Sequence, residues 1–354
     1  MEHFVYTGNP GRVIFGSGTI SRLAEEADRL GARRLLVLST PEQESQAQDI
    51  AAHLGTRVAG MYSKATMHTP TNVTADAMRQ VEALRADGLV AIGGGSTTGL
   101  GKAIAYRTDL AQIVVPTTYA GSEATPILGE TEGGRKVTRS DPRILPEIIV
   151  YDVDLTLSLP VSMSVTSGMN AVAHAVEALY AREANPIISM MALEGINAIV
   201  RALPGISQNP GDRMSRSDAL YGAWLCGICL GSVGMALHHK LCHTLGGMFN
   251  LPHAAMHTVV LPHAIAYNAS AAPAAMDMLG GKLGAADPAQ ALFDLSRRLG
   301  AKMSLQELGM PQGSVGAAVE QAMSNAYWNP RTLEKEGLTN LLERAFRGDE
   351  PRAK

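Results

Sequence analysis

The chain has 354 residues, enough for about two domains at roughly 150 residues each. Its 46% hydrophobic and 18% charged residues are too apolar a mixture for a disordered chain. With Lys+Arg at 30 and Asp+Glu at 33, the formal charge of -3 offers nucleic acid or an anionic membrane no polycation.

The first 150 or so residues alternate between short apolar runs and helical patterns. Strands are expected at 12–15, 35–39, 89–92, 112–116 and 148–151, and helices at 19–30, 42–54, 71–86 and 97–106. Runs such as Leu35-Leu36-Val37-Leu38 do not alternate with polar residues, which suits parallel strands covered on both faces. The expected fold is therefore a doubly wound, mostly parallel, Rossmann-like α/β domain. After Asp152 the strand-like runs fade and Ala, Met, Leu and Gly dominate. Pro160, Pro186, Pro204, Pro252, Pro262, Pro273 and Pro311 punctuate this half into helices. The expected division is 1–157, dinucleotide-binding, and 158–354, helical. Residues 219–237 carry no charge over 19 positions, and are expected as one buried core helix whose glycines allow close contacts. Cys226 and Cys229, a CxxC pair inside that stretch, are expected as buried small side chains. Cysteines this few, in a chain opening Met1-Glu2-His3-Phe4 with no secretory pattern, point to a reducing, cytoplasmic compartment.

Three motifs carry chemistry. The run Leu89-Val90-Ala91-Ile92-Gly93-Gly94-Gly95-Ser96-Thr97 is a strand entering a glycine triplet and then a helix. Glycines admit a ligand close to the backbone, and the helix start aims unpaired N–H groups at an anion such as a pyrophosphate. Lys102, farther along the helix, is expected to add a charge. The second motif, Thr117-Thr118-Tyr119-Ala120-Gly121-Ser122, follows a buried strand and offers hydroxyls from Thr117, Thr118 and Ser122 at the carboxyl edge of the sheet. The third is a concentration of imidazoles. Six of ten histidines lie between 238 and 263. His239 and His243 share a helix face at i,i+4, as do Asn170 and His174 upstream. Three neutral imidazoles can hold a divalent metal. Glu177 lies near His174 on the same helix, but Asn170 is neutral and Lys240 repels a cation. The local charge suits an anionic substrate better than a metal.

These residues together resemble the iron-containing alcohol dehydrogenase superfamily over nearly the whole chain. Within it, the runs Gly-Gly-Gly-Ser-Thr-Thr-Gly-Leu-Gly-Lys, Gly-Met-Asn-Ala-Val-Ala-His-Ala-Val-Glu and His-His-Lys-Leu-Cys-His-Thr-Leu-Gly-Gly are most similar to the maleylacetate reductase group. The resemblance implies a nucleotide domain followed by an all-α domain, a catalytic cleft between them, and a homodimer. It also implies reduction of the C=C bond of maleylacetate to 3-oxoadipate by NADH or NADPH, in bacterial degradation of aromatic compounds. Metal-dependent members have Asp where this chain has Asn170; their other metal positions correspond to His174, His239 and His253. Most relatives also have Asp where Gly99 stands. At Ser39-Thr40, after the second strand, no carboxylate selects against a 2′-phosphate, so both coenzymes are expected.

The expected cofactor residues are Ser39, Gly93, Gly94, Gly95, Ser96, Lys102, Thr117, Thr118 and Ser122. The expected substrate and catalytic residues are Asn170, His174, His239, Lys240, His243 and His253. His243 is the expected proton donor, and no metal is expected. Arg139, Lys136 and Arg331 are candidates for the substrate's carboxylates. Two other readings share the fold: a metal-dependent alcohol dehydrogenase, and a lyase resembling dehydroquinate synthase. Asn170 and Lys240 disfavour both.

Overall fold

The computed structural model describes residues 3–9, 11–133 and 135–352, with the backbone alone for Arg135 and Lys136. It divides into two compact units. One is Gly8–Leu159; the other runs from Pro160 onward and includes the N-terminal residues up to Thr7. The division thus falls slightly later than 157, and the first residues join the helical unit.

In the first unit the strands are β1 (Arg12–Gly16), β2 (Leu35–Leu38), β3 (Val58–Tyr62), β4 (Gly88–Gly93), β5 (Ala111–Pro116), β6 (Ile127–Glu132), β7 (Arg135–Ser140) and β8 (Ile148–Asp152). The helices are α1 (Leu23–Arg29), α2 (Glu44–Ala51), α3 (Thr71–Leu84) and α4 (Gly95–Thr108). Six strands form one sheet in the order β1-β8-β5-β4-β2-β3, and every pairing in it is parallel. Alternate residues explain the apolar runs. Val37, Val90, Ile92, Ile113 and Val115 pack against α1 and α2, whereas Leu36, Leu38, Leu89, Ala91 and Val114 pack against α3 and α4. The chain passes from β2 outward to β3 and then back across to β4. That reversal makes the carboxyl ends of β2 and β4 the switch point where doubly wound sheets bind ligands.

The second unit is all helical among its described residues: α5 (Val161–Leu179), α6 (Pro186–Gln208), α7 (Arg213–Ser232), α8 (Leu237–Phe249), α9 (His253–Asn268), α10 (Pro273–Leu283), α11 (Pro288–Arg298), α12 (Val315–Ser324) and α13 (Lys335–Arg347). Pro186, Pro273 and Pro288 start helices, and Asn185, Asp212 and Asp287 cap them with side-chain oxygens. Pro204 and Pro262 are not boundaries but lie inside α6 and α9. Buried neighbours on either side, Leu203 with Ile206 and Leu261 with Ala264, carry each helix past its missing N–H.

The charge-free stretch 219–237 is not one helix. It is the end of α7, a break after Ser232, and the start of α8, with the two helices bent by 94°. Its small residues do serve close packing: a side chain on Gly222 would meet the Gly195 carbonyl of α6 at 2.8 Å. Cys226 and Cys229 are buried there, and burial pushes the Cys229 thiol up to about 12 and Cys226 higher than its usual range. They are packing groups, not thiolates.

Candidate active site

The nucleotide-binding features gather at the carboxyl ends of β2, β4 and β5. β4 ends at Gly93, and α4 begins at Gly95 with no side chain capping it, which leaves its first-turn N–H groups for a ligand. Gly93 has φ +146°, and a Cβ there would meet Thr97 Oγ1 at 2.6 Å. A Cβ on Gly94 would meet Thr118 Cγ2 at 2.9 Å. Gly95 differs: the nearest atom a Cβ there would meet is Ser122 Oγ, 3.9 Å away. Around this open position the hydroxyls of Ser39, Thr97 and Ser122 are buried without a hydrogen-bond partner among the described residues. Buried hydroxyls seldom go unpaired, so they fit a polar ligand. Thr117 is positioned by its N–H to the Gly93 carbonyl (3.0 Å) and by Gln43 Nε2 donating to its Oγ1 (2.8 Å).

This arrangement predicts the outcome of Gly95→Val. The protein has room for the new side chain, so thermal stability should be nearly unchanged. The valine fills ligand space, and NADH or NADPH affinity in a fluorescence titration should fall at least about tenfold, the effect of ~1.4 kcal/mol. Unchanged affinity would remove the glycine turn from the cofactor site.

Lys102 is placed differently from expectation. Its ammonium is 1% exposed and donates to the carbonyls of Ser122 (2.6 Å), Thr125 (2.7 Å) and Ile127 (3.0 Å) and to Thr125 Oγ1 (3.0 Å). Burial pushes its pKa down to about 7, opposed by nearby Glu123. It ties down the loop carrying Ser122 and has no donor left for a phosphate.

The histidines gather within the helical unit. α5 supplies Asn170, His174 and Glu177; α8 supplies His238, His239, Lys240 and His243; α9 supplies His253 and His257. The His174 and His239 rings are 5.1 Å apart, His239 and His243 6.1 Å, and His239 and His257 5.2 Å. His253 joins through His257 at 4.3 Å. Asn170 Oδ1, His174 Nδ1 and His239 Nε2 are buried with no partner among the described residues. Burial, with His239 and His243 adding to it, holds His174 well below the usual imidazole range, so its ring is neutral.

Glu177 organises this cluster. Its carboxylate is fully buried and accepts the N–H groups of Ala236 (2.8 Å) and His238 (2.6 Å), capping α8 from outside that helix. It also accepts His239 Nδ1–H at 2.8 Å, which directs Nε2 away from it. Tyr327, which the sequence does not single out, has its hydroxyl 2.9 Å from His243 Nδ1.

The expected carboxylate partners are committed elsewhere. Arg331 donates to the Tyr267 carbonyl and stacks 4.2 Å above that ring. Arg139 lies in the first unit, 3.8 Å from Glu130 and over Tyr106. The Lys136 side chain lies outside the described residues.

The family model for iron-containing alcohol dehydrogenase matches residues 10–153, and that for the C-terminal part of the Fe-containing alcohol dehydrogenase family matches 164–346. The chain belongs to the iron-containing alcohol dehydrogenase family. It is thus an NAD(P)-dependent oxidoreductase. A maleylacetate reductase from Rhizobium sp. is 55% identical over 99% of this chain and 100% of its own length. One from Sphingobium indicum is 54% identical over 98% and 99%. The crystal structure of maleylacetate reductase from Agrobacterium tumefaciens superposes with a TM-score of 0.95, at 55% identity over 99% of this chain and all of that one.

The family name implies a metal, and the donors can be tested for it. Asn170, His174, His239 and His253 are all uncharged ligands as neutral groups, and Glu177, the carboxylate beside them, is occupied by α8 and His239. Among the described residues, the three His, Cys or acidic groups whose ligand atoms lie within 4.8 Å of one another are a different set, His238, Cys242 and His257. Their closeness follows from a hydrogen bond between the two rings, 2.9 Å from His238 Nε2 to His257 Nδ1. Three neutral imidazoles can hold a divalent cation, but Asn170 brings no carboxylate and Lys240 adds positive charge, so the set is poorer for a cation than one with an acidic ligand.

Proposed function

We propose that this chain reduces the C=C bond of maleylacetate, and of its chloro-substituted analogues, to the 3-oxoadipate product, using NADH or NADPH and no metal. The buried polar atoms Asn170 Oδ1, His174 Nδ1 and His239 Nε2, without partners among the described residues, carry this reading, together with the high identity to maleylacetate reductases. Maleylacetate is a dianion whose C=C bond is conjugated to a ketone. Hydride adds to the carbon β to that ketone, negative charge builds on the ketone oxygen, and a proton then reaches the adjacent carbon. His174, His239 and His253 bind the anionic oxygens, with the Asn170 amide able to donate as well. Glu177 at Nδ1 orients the His239 ring, with Nε2 on the side away from that carboxylate. Donors held in place away from water are worth several kcal/mol to such an oxyanion. His243 gives the proton, its ring oriented by the Tyr327 hydroxyl at Nδ1.

Ser39 supports the use of both coenzymes. It directly follows β2, with a buried hydroxyl that can bond a ribose hydroxyl or a phosphate without charge repulsion. Cytoplasmic location and a homodimer complete the proposal. The first is supported by three buried free cysteines. The second rests on the family resemblance. α6 is long and apolar enough to cross a membrane, but its buried face packs on α5 and α7 as in a core helix.

Steady-state assays with maleylacetate test the proposal. Turnover should occur with both NADH and NADPH, exceed that with simple ketones, and survive chelation. A preference for NADH beyond a thousandfold, about 4 kcal/mol, would assign discrimination to a residue other than Ser39. Loss of turnover on chelation, restored by Fe²⁺ or Zn²⁺, would establish the metal-dependent alternative that the retained His174, His239 and His253 favour.

A further inference from the structure

Two other large cations buried in this protein are fully supplied with partners. Lys102 has its four acceptors, and Arg216 donates to the Pro210 carbonyl (3.0 Å) and to Ser164 Oγ (2.7 Å). Lys240 is the exception. It is 8% exposed, and among the described residues its ammonium makes no ion pair or hydrogen bond. Its one partner is the face of Tyr327, 5.5 Å from the ring centroid.

An ammonium taken out of water costs several kcal/mol unless an anion compensates it, and a tyrosine face compensates only part. Among the described residues the chain supplies no such anion. Glu177, the nearest carboxylate on the neighbouring helix, is spent on Ala236, His238 and His239. Lys240 also stands between the oxygen-binding and proton-donating groups. It follows His239 directly and precedes His243 by three positions on α8, so Lys240 and His243 share a helix face. Tyr327 links them, its ring under the ammonium and its hydroxyl on His243 Nδ1.

We propose that Lys240 binds a carboxylate of the substrate and sets the preference for dianionic over neutral unsaturated ketones. The inference rests on the functional reading above. The substrate supplies the missing counter-charge, so the unpaired ammonium is a cost to the empty protein that substrate binding removes.

Lys240→Met in the full chain tests this, with Lys240→Arg as the charge-keeping control. The probes are maleylacetate and the uncharged methyl ester of 4-oxopent-2-enoic acid. Lys240→Met should raise KM for maleylacetate by ~10–100-fold, the scale of a hydrogen bond to a charged group. It should change kcat less, and affect the ester and coenzyme affinity little. Lys240→Arg should recover part of the loss. The melting temperature of Lys240→Met should stay level or rise, because a buried unpaired charge has gone. An unchanged KM for maleylacetate overturns the inference. So does an equal loss on both substrates, or a lowered melting temperature with no rescue by arginine, since these mark a structural role. Wild-type protein that fails to reduce maleylacetate overturns the functional reading itself, and is thereby distinguished from failure of the Lys240 assignment.

Discussion

His243→Ala is expected to lower kcat for maleylacetate by ~10²–10⁴, the usual worth of a positioned general acid, while coenzyme affinity stays near normal. The side chain lies on α8 one turn beyond His239, with the two rings 6.1 Å apart. Tyr327 packs edge-on against it, and the phenol holds Nδ1 at 2.9 Å. The contact with Tyr327 fixes the orientation of the ring on α8. Alanine removes the proton source but not the groups that bind the enolate oxygen, so substrate binding should suffer less than turnover. Coenzyme binding, proposed at Gly93–Gly95 in the other unit, should not respond. Pre-steady-state and steady-state kinetics decide it. A variant that keeps most of its kcat removes His243 from the reaction, and a comparable loss confined to His174 or His253 variants transfers the role there.

Glu177→Ala should be the most destabilising substitution in the site. It leaves the Ala236 and His238 amides and His239 Nδ1–H without their acceptor, all within buried surroundings. Each of the three orphaned donors costs roughly 1–3 kcal/mol, so the loss is at least about 3 kcal/mol in all. At roughly 2–4 °C per kcal/mol for a unit of this size, the melting transition should fall by about 10 °C. Activity should fall beyond the loss of folded protein, because α8 carries three of the site's groups and His239 loses the carboxylate that orients it. Calorimetry together with kcat measured on the folded fraction separates the two effects. A variant with an unchanged transition would show that the carboxylate does not hold the start of α8.

Sequence reading succeeds here where the physics is local. Leu35–Leu38 lies between two helical layers, so both faces are apolar and the run is plain. β3 is hidden because it is a half-buried edge strand interrupted by Gly60, whose missing side chain admits Leu84. The hairpin β6–β7 is hidden for the opposite reason: its inward-facing Glu130 is buried and paired with Arg107 at 2.9 Å, which reverses the usual polarity pattern. The pairs Asn170/His174 and His239/His243 are legible from i,i+4 spacing. Glu177 is visible on the same helix, but its partners lie 59 and 61 residues onward, and Tyr327 lies 84 residues from His243. Such contacts exist only once helices pack. Lys102 shows the reverse error. Its position along α4 suggests a phosphate ligand, whereas tertiary burial turns it onto the 122–127 loop.

The central claim is that hydride reaches the C=C bond and that protein groups of the helical unit bear the resulting charge. The most direct measurement is the position of deuterium in the product after reduction of maleylacetate with NADH deuterated at the transferring position. The account predicts deuterium on the carbon β to the intact ketone of 3-oxoadipate, with a solvent-derived proton on the adjacent carbon and the same pattern after chelation. Deuterium on a carbinol carbon, with the C=C bond retained, would show alcohol dehydrogenase chemistry at the ketone and contradict it.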